Sequence, residues 1–424
     1  MYIYSATTMK QRRLGSFKLI AFLAVLIFAI SFFASSGNKK SPYSKRAIAQ
    51  SLTAAVSKNE FPPAGEIELS EENEKTLGQF TYTLDQDLQE TLIKQFESYK
   101  PDYGAFVAIE PKTGAIRALF SYTRNKKDIG NLTLRASFPA ASVFKIVTAA
   151  AALDKKKANP ETVISFTGAN HTLYRQNLKP PKNQRWVRKM RLREAFARSV
   201  NTVFGKLGIY TVPKEDLNHY AEQFQFNKDI PVDLPVEAGT FEFLGEDPLS
   251  VAEVASGFNR NVLMSPLQGA VMAGAIANDG LMMEPFLVDS FVPNDAGVAY
   301  QAKPVPMGQV ISSETARELR SMMQDTVRVG TSRKSFRGLA RHSSKAEVEM
   351  GGKTGSLTGN NPKGKYDWFV GYAKKGDKSL GLAVLTIHEE KWTVKSSYLA
   401  SKAVEQYFAP DLEAVKVRRK KKKS

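Results

Sequence analysis

The spacing of apolar residues after residue 78 follows two different periods, and this indicates a mixture of helices and strands. Apolar residues three or four positions apart predict a helix within Phe80–Tyr99, with Thr83 or Asp85 as its N-cap. Alternating apolar and polar residues on both sides of the turn Pro111–Gly114 predict a β-hairpin. The two predicted strands are Ala105–Glu110 and Ala115–Tyr122.

Longer apolar stretches continue this mixed pattern to about residue 409. We predict helices at Ser142–Leu153, in a run ending at Leu207, and at Ser265–Ala277, Ser313–Val327 and Ser397–Phe408. We predict extended segments at Leu281–Phe291, Val348–Ser356, Trp368–Tyr372 and Leu380–Ile387. Since strands lie at both ends with helices between them, the predicted fold class is α/β in the α+β sense, with a central antiparallel sheet flanked by helices.

An apolar segment, Leu19–Ala34, follows a cluster of basic residues near the N-terminus. This pattern predicts either one transmembrane helix or the apolar part of a secretory signal, and the small residues Ala34–Ser36 leave both interpretations open. Because the basic residues precede the segment, we expect residues 1–18 in the cytoplasm and the later residues outside it. The expected localisation is therefore the cytoplasmic membrane, with a periplasmic or other extracytoplasmic domain.

Composition suggests how the rest of the chain is organised. Residues 19–36 are the predicted anchor or signal, and residues 37–78 are polar, so we predict a linker there. Residues 79–409 form the predicted folded domain, and 42% hydrophobic residues overall suffice for a core. Residues 410–424 form a basic tail, for which binding to anionic lipids and simple solvation both remain open.

Charge and cysteine content exclude several classes of site. The chain has no cysteine, which excludes disulfides, thiolate metal sites and a cysteine nucleophile. The four histidines lack metal-ligand spacing, so we expect no metal and no cofactor. The net charge of +18 would suit nucleic acid, an anionic membrane or an acidic polymer. We expect no nucleic acid as partner, because the domain is predicted to lie outside the cytoplasm.

Three short motifs occur in the order of the penicillin-recognising serine enzymes: S-x-x-K at Ser142–Lys145, S-x-N at Ser199–Asn201 and K-T-G at Lys353–Gly355. Each motif is weak alone, because each recurs elsewhere in the chain. The second copies are Ser36–Lys39, Ser57–Asn59 and Lys112–Gly114. Context favours the first set: Ser142 starts an apolar helix, and Lys353 follows two glycines at the head of a strand, whereas Lys112 lies in a predicted turn.

Helix geometry supports a chemical role for the first motif. Positions three apart share one face of a helix, so the Lys145 amine can reach the Ser142 hydroxyl. The unpaired N–H groups of the first turn can stabilise an oxyanion. Each residue alone also fits a structural role, with Ser142 and Ser199 as helix caps and Lys145 as a side chain that reaches solvent.

Longer strings resemble the transpeptidase domain of high-molecular-mass penicillin-binding proteins over about residues 79–409. The matching strings are Phe138–Lys145, Ser265–Gln268, Ala275–Gly280, Gly351–Ser356 and Asp367–Tyr372. Two positions depart from the family pattern: Ala140–Ala141 stands where Pro-Gly is usual, and Ser356 where Thr is usual. The resemblance implies a β-lactamase/transpeptidase-like fold in which an all-α part lies beside the central sheet.

The resemblance also implies catalytic roles for four residues. Ser142 would attack a carbonyl and form an acyl-enzyme. Lys145 would be the general base, which requires a neutral amine near pH 7, as an apolar surrounding and a second cation at Lys353 favour. Ser199 would relay a proton between Lys145 and the leaving amine.

The same resemblance implies substrate-binding roles around the other motif positions. Asn201 would orient the peptide group of the acyl donor. Lys353 and Thr354 would hold the terminal carboxylate of the substrate, and Gly355 of the same K-T-G motif is also a substrate-binding position. The N–H groups of Ser142 and Ser356 would form the oxyanion hole.

The activity implied is that of a peptidoglycan D,D-transpeptidase, with stem peptides ending in D-Ala-D-Ala as donors and β-lactams as acylating mimics. Other cell-wall synthesis proteins are possible partners. The alternatives are a D,D-carboxypeptidase or endopeptidase and, with no evident extra base for deacylation, a β-lactamase. A catalytically inactive scaffold or β-lactam sensor is the alternative outside enzymes. We expect no glycosyltransferase domain before residue 79.

Overall fold

The computed structural model describes residues 43–56, 62–71, 74–125, 129–180 and 184–414. The predicted anchor or signal at residues 19–36 lies outside these residues, as does the basic tail from residue 415 onward. Within the described ranges, no helix has both the length and the apolar character needed to cross a bilayer.

The described residues combine strands and helices. The strands are β1 (Ile67–Glu71), β2 (Glu74–Tyr82), β3 (Tyr103–Ile109), β4 (Ile116–Thr123), β5 (Phe138–Pro139), β6 (Val163–Phe166), β7 (Arg188–Arg191), β8 (Leu263–Met264), β9 (Leu281–Met283), β10 (Val288–Pro293), β11 (Tyr300–Gln301), β12 (Pro306–Gln309), β13 (Glu349–Asn360), β14 (Lys363–Lys375) and β15 (Lys378–His388). The α-helices are α1 (Lys45–Val56), α2 (Gln86–Tyr99), α3 (Lys145–Asp154), α4 (Arg175–Leu178), α5 (Leu192–Ala197), α6 (Asn201–Tyr210), α7 (Lys214–Gln223), α8 (Pro248–Ser256), α9 (Pro266–Ala277), α10 (Ser313–Arg328), α11 (Arg333–Ser343) and α12 (Ser396–Tyr407).

The central sheet has five strands in the order β13–β14–β15–β3–β4, and all neighbours are antiparallel. The early hairpin β3–β4 joins the late strands through β15, where Val107 pairs with Ala383. This confirms the predicted antiparallel sheet built from strands distant in sequence. It also explains why β15 is almost continuously apolar, since both of its faces are covered.

Alternate residues of β15 face the two sides of the sheet, as the period of two requires. On one side Leu382 and Val384 join a core formed with α2, α11 and α12. On the other side lies α9, every residue of which is buried. There the backbones meet closely, because a Cβ at Gly381 would lie 2.6 Å from the Gly274 nitrogen.

A helical part accompanies the sheet, as the resemblance implied. Helix α3 is Ala-rich and buried, and it packs against α7 and α10. Helix α6 packs against α8. Because α3 begins where the 3₁₀ turn Ala141–Phe144 ends, this helical part positions the first sequence motif.

The segment for which we predicted a linker contains regular structure. It includes α1, β1 and most of β2, and β1 and β2 form one sheet with β10 and β11. The side chains of Ile48, Leu52 and Leu69 are fully buried. The linker interpretation was wrong here because polar residues separate the few apolar ones, so the pattern does not show which side is covered.

The first predicted helix begins after the second of its two candidate N-caps. Phe80 belongs to β2, and α2 starts after Asp85, whose carboxylate accepts a hydrogen bond from the Leu88 N–H at 3.0 Å. This confirms the predicted helix and, of the two candidate N-caps Thr83 and Asp85, selects Asp85. The spacing of Phe80 fits both a helix and a strand, and its pairing with β10 shows that it lies in a strand.

Candidate active site

Ser142 lies in a 3₁₀ turn, Ala141–Phe144, rather than in the first turn of the predicted α-helix. The preceding Ala141 has a left-handed φ of 49°, which turns the chain sharply before the helix. Gly257, at the C-cap of α8, packs so closely behind this turn that a Cβ there would overlap the Ala141 carbonyl oxygen. Ser142 is therefore held, half-buried, at the junction of the turn and α3.

Lys145 is fully buried, and its amine has three partners. It donates to the Ser142 hydroxyl at 2.8 Å, to the Asn201 side-chain oxygen at 2.8 Å and to the Ser256 carbonyl at 2.6 Å. The two latter atoms can only accept, whereas a serine hydroxyl can also donate. A neutral amine would therefore keep two N–H bonds and turn its lone pair toward the Ser142 proton.

The surroundings favour that neutral form. Burial, followed by the nearby charge of Lys353, holds the pKa of the Lys145 amine well below its ordinary value. Burial also lowers the pKa of Lys353, to about 7. The aromatic rings of Phe204 and Phe196 lie 5.7 Å and 5.6 Å from the two amines and favour the charged forms, but such contacts are worth only about 1–2 kcal/mol. Burial therefore dominates.

The second motif connects both amines. Ser199 follows α5 with a left-handed φ of 56°, and its hydroxyl accepts a hydrogen bond from Lys353 at 2.9 Å. Asn201 opens α6 and uses both ends of its amide. Its oxygen accepts from Lys145, and its nitrogen donates to the His171 carbonyl at 2.9 Å. The turn between α5 and α6 thus holds a hydroxyl and an amide beside two lysines.

The third motif lies along β13 next to the Ser142 turn. Gly355 leaves room for that approach, because a Cβ there would lie 3.1 Å from the Ala140 carbonyl oxygen. Ser356 is exposed just beyond it. On the neighbouring strand, the Trp368 indole donates to the Pro139 carbonyl at 2.9 Å and ties the sheet to the start of the turn.

Several groups at the site were not found from the sequence. The Ser256 and His171 carbonyls position Lys145 and Asn201, but a backbone carbonyl has no sequence signature. The Thr331 hydroxyl lies 2.6 Å from the Thr354 hydroxyl, in the turn after α10. The Gly330-Thr331 pair was a turn signal that carried no indication of which strand it would meet.

The recurring motifs differ in their structural setting. Lys112–Gly114 forms the turn between β3 and β4, where the Gly114 N–H donates to the Glu110 carbonyl at 2.8 Å. The copies Ser36–Lys39 and Ser57–Asn59 lie outside the described residues. Among the residues that the structure describes, no group of three or more His, Asp or Glu is arranged to hold a metal ion.

The arrangement suits acyl transfer. A hydroxyl lies within hydrogen-bond distance of an amine whose neutral form is favoured, and a second hydroxyl lies against a second amine. A serine nucleophile with a lysine base and a proton relay would require contacts of this kind. The three motifs, which are more than 50 residues apart in sequence, supply these groups from three different elements.

Comparison with known proteins identifies similar chains. Residues 104–410 match the family model of the penicillin binding protein transpeptidase domain. The peptidoglycan D,D-transpeptidase PbpA of Mycolicibacterium smegmatis is 28% identical over 319 residues, which cover 67% of this chain and 62% of the relative. The stage V sporulation protein D of Bacillus subtilis is 26% identical over 334 residues, which cover 74% of this chain and 50% of the relative. The matched region thus spans about half to three-fifths of these relatives.

Solved structures share the fold. The D,D-transpeptidase domain of a peptidoglycan glycosyltransferase from Eggerthella lenta matches with a TM-score of 0.62 and 26% identity, covering 78% of this chain and 83% of the other. Penicillin-binding protein A from Mycobacterium tuberculosis, solved as an imipenem acyl-enzyme complex, matches with a TM-score of 0.64 and 23% identity, covering 78% and 79%. The predicted transpeptidase-like fold is thereby confirmed.

Proposed function

Because this chain belongs to the penicillin-binding protein transpeptidase family, we propose that it is a peptidoglycan D,D-transpeptidase that works through an acyl-enzyme on Ser142. The observation that carries the proposal is the 2.8 Å contact between the Ser142 hydroxyl and the buried Lys145 amine. The relatives named as D,D-transpeptidases and the acyl-enzyme structure of a relative support the same chemistry.

In the first step, neutral Lys145 takes the Ser142 proton while the serine oxygen attacks the carbonyl of the penultimate D-Ala. An ester forms to Ser142 as the peptide bond to the terminal D-Ala breaks. The terminal D-Ala leaves as an amine that takes, through Ser199, the proton that Lys145 removed. Lys353 supports this relay, since its amine donates to the Ser199 hydroxyl at 2.9 Å. General acid–base catalysis of this kind contributes about 10²–10⁴ in rate.

Substrate binding is assigned to the groups around β13 and the second motif. Lys353 and Thr354 hold the terminal carboxylate, and the Thr331 hydroxyl orients that of Thr354. Asn201 hydrogen-bonds the donor peptide group, and Gly355 lets the strand approach the nucleophile. The N–H groups of Ser142 and Ser356 stabilise the oxyanion.

In the second step, the amine of a neighbouring stem peptide attacks the ester and gives a proton to neutral Lys145. An amide forms as the bond to the Ser142 oxygen breaks, and Ser142 takes that proton back from Lys145. If water attacks instead, the product is a shortened stem, and the enzyme is a carboxypeptidase. A β-lactam undergoes the first step, because its strained amide mimics the donor. The ester that it then forms with Ser142 is cleaved only slowly.

We also propose that residues 19–36 anchor the protein in the cytoplasmic membrane, with residues 79–409 as the catalytic region outside it. The support is the apolar segment behind basic residues. Other cell-wall synthesis proteins are the proposed partners at this location.

Intact mass measurement after treatment with penicillin G tests the proposed chemistry. We expect a stable adduct of one penicillin that maps to Ser142 and that is absent from Ser142→Ala, with both proteins melting at similar temperature. No adduct on the wild-type protein would contradict the proposal, and rapid release of the adduct would favour a β-lactamase. Incubation with pentapeptide muropeptides then distinguishes a transpeptidase from a carboxypeptidase. A transpeptidase yields cross-linked dimers, and a carboxypeptidase yields tetrapeptides.

A further inference from the structure

One exposed arginine, Arg260, lies beside the site and has no role in the chemistry proposed above. It belongs to the loop of residues 257–262, which connects α8 to β8 and which we call the Arg260 loop. The Arg260 Nε donates to the carbonyl of Thr358, in β13, at 3.0 Å. The guanidinium is thereby held two residues beyond Ser356, the last position on that strand for which a role in catalysis is proposed.

Hydrogen bonds and close packing fix the Arg260 loop against the 3₁₀ turn of the site. At one end of the loop, Gly257 packs behind this turn. At the other end, the Ala140 N–H donates to the Val262 carbonyl at 2.8 Å. Within the loop, the Asn259 side-chain oxygen accepts a hydrogen bond from the Val262 N–H at 2.9 Å. The loop therefore holds Arg260 at a defined position on the edge of the site.

The contact with Thr358 uses only one part of the Arg260 guanidinium. An arginine has N–H donors on Nε and on both Nη groups, and here Nε is the donor that is used. Among the residues that the structure describes, no Asp or Glu forms an ion pair with Arg260. The Nη donors lie in one plane, and such a pair of groups binds a carboxylate through two parallel hydrogen bonds.

A second guanidinium adds to the positive charge at this end of β13. Arg135 donates to the side-chain oxygen of Asn361, the residue directly after β13, at 3.0 Å. Its other hydrogen-bond partners, the Ile129 carbonyl and the Ser137 hydroxyl, are also uncharged. Because these partners do not neutralise the charge of Arg135, this edge of the site attracts anionic groups.

The proposed binding mode gives the direction in which a stem peptide runs along β13. In that mode, the terminal carboxylate lies at Lys353 and Thr354, and the carbonyl under attack lies at the Ser356 N–H. The stem therefore continues past Ser356 toward Thr358, along the free side of an edge strand. Since two residues of a strand span about 7 Å, a side chain on the stem residue before D-Ala-D-Ala can reach Arg260.

We infer that Arg260 binds a side-chain carboxylate on the stem residue that precedes D-Ala-D-Ala. The Nη groups donate to the two carboxylate oxygens, while Nε keeps its hydrogen bond to Thr358. An amide in place of the carboxylate offers only one oxygen and no charge, so Arg260 determines specificity for acidic donors. The inference rests on the proposed function and names the class of stem peptide that the site selects.

Two matched peptides test this preference. They are acetyl-X-D-Ala-D-Ala, in which X is 2-aminoadipate or the side-chain amide of 2-aminoadipate. The measurement, on the full-length protein, is the concentration of each peptide that halves the rate of Ser142 labelling by a fluorescent penicillin. For the wild type, we expect the acidic peptide to reach this point at a concentration about three- to tenfold lower than the amide.

Arg260→Gln should remove the preference, so that the two peptides act at the same concentration within about twofold. The ratio between the peptides is the readout, because a distortion of β13 caused by the lost contact with Thr358 would affect both peptides alike. The matched control is Arg337→Gln, which removes one exposed arginine charge from α11 and should keep the wild-type ratio.

Several outcomes would overturn the role of Arg260. They are a wild type that does not distinguish the two peptides, labelling that neither peptide slows, and a preference that persists in Arg260→Gln. An equal loss of preference in Arg337→Gln also overturns it, since the preference then comes from net charge. A wild-type protein that penicillin does not label contradicts the proposed function itself, whereas normal labelling without discrimination contradicts only this inference.

Discussion

At the scale of single residues, the site depends on the two buried lysines Lys145 and Lys353, and neither forms an ion pair with a carboxylate in the part of the chain that the structure describes. Burial lowers the pKa of both amines, and the charge of Lys353 further lowers that of Lys145. The two effects act in the same direction, toward the neutral Lys145 that the proposed acylation requires. The lysines touch different hydroxyls, so each can be changed with the other contact left in place.

Replacing Lys353 by Gln should change the pH dependence of acylation as well as its rate. Protonated Lys145 cannot accept the Ser142 proton, so the rate falls as the pH is lowered through the pKa of Lys145. Removing the neighbouring charge raises that pKa. The acidic limb of the curve of acylation rate against pH therefore moves to higher pH in Lys353→Gln. The measurement is the second-order rate of labelling by a fluorescent penicillin across pH.

Thr354→Val is the matched control for this experiment. The substitution weakens binding of the substrate carboxylate but removes no charge. Labelling therefore slows, while the acidic limb of the rate–pH curve keeps its position. A limb that moves equally in both variants would show that the change does not come from the Lys353 charge.

At the scale of elements, the position of Ser142 is set by close packing between the 3₁₀ turn and its neighbours. The C-cap of α8 lies behind the turn at Gly257, and β13 lies beside it at Gly355. Both contacts are made by glycines, since any side chain would push the turn away. Ser142, the proposed nucleophile, is therefore positioned by backbone contacts as well as by α3.

Gly257→Ala should impair both stability and acylation. The left-handed φ of 66° costs an alanine about 1–2 kcal/mol, and its Cβ would overlap the Ala141 carbonyl oxygen. We expect a loss above about 2 kcal/mol in unfolding free energy and an acylation rate at least about tenfold lower. Urea unfolding and penicillin labelling measure the two effects.

Gly338→Ala provides the comparison, because Gly338 lies in α11 and a Cβ there meets nothing within 4 Å. The expected effect is a gain of about 0.5–1 kcal/mol in unfolding free energy with unchanged labelling. Wild-type labelling by Gly257→Ala would refute the positioning role of this contact.

At the scale of the whole molecule, two buried carboxylates join parts that are far apart in sequence. Asp233 accepts the Leu287 and Val288 N–H groups at the start of β10. Asp367 in β14 accepts the Ser396 N–H at 2.7 Å, where α12 begins. Burial raises the pKa of each carboxyl to about 6. At both carboxyls, burial raises the pKa by more than the hydrogen bonds lower it. The free energy of unfolding therefore depends on pH.

Asp367→Asn should reveal this dependence. The folded pKa of about 6 lies above the unfolded value of about 3.9, so the unfolded state ionises first as the pH rises. The wild type therefore loses up to about 3 kcal/mol between pH 4 and 7 that the variant does not lose. Urea unfolding at both pH values measures the difference. The exposed Asp295→Asn serves as the control, and a stability difference between wild type and Asp367→Asn that is equal at both pH values would contradict the argument.

The sequence by itself determined the parts of the fold that depend on local periodicity. Val348–Ser356 and Leu380–Ile387 were predicted as strands. All but the first residue of the former lie in β13, Leu380–Ile387 lies in β15, and Ser313–Val327 lies in α10. Helix caps are equally local, and Asp85 was found for that reason. The α+β class follows from the order of such elements.

Only the tertiary structure decided what local patterns cannot express. The pairing of β2 depends on β10, some 200 residues later. The sparse apolar residues of β1 and β2 were therefore interpreted as part of a linker. The contact of Lys353 with Ser199 joins a strand to a turn 154 residues away. Ser256 and His171 act through their backbone carbonyls, and every residue type has such a group. Side-chain identity indicates which chemical groups are available. The distances between remote segments arise from packing, and packing also determines which copy of a recurring motif faces the Ser142 turn.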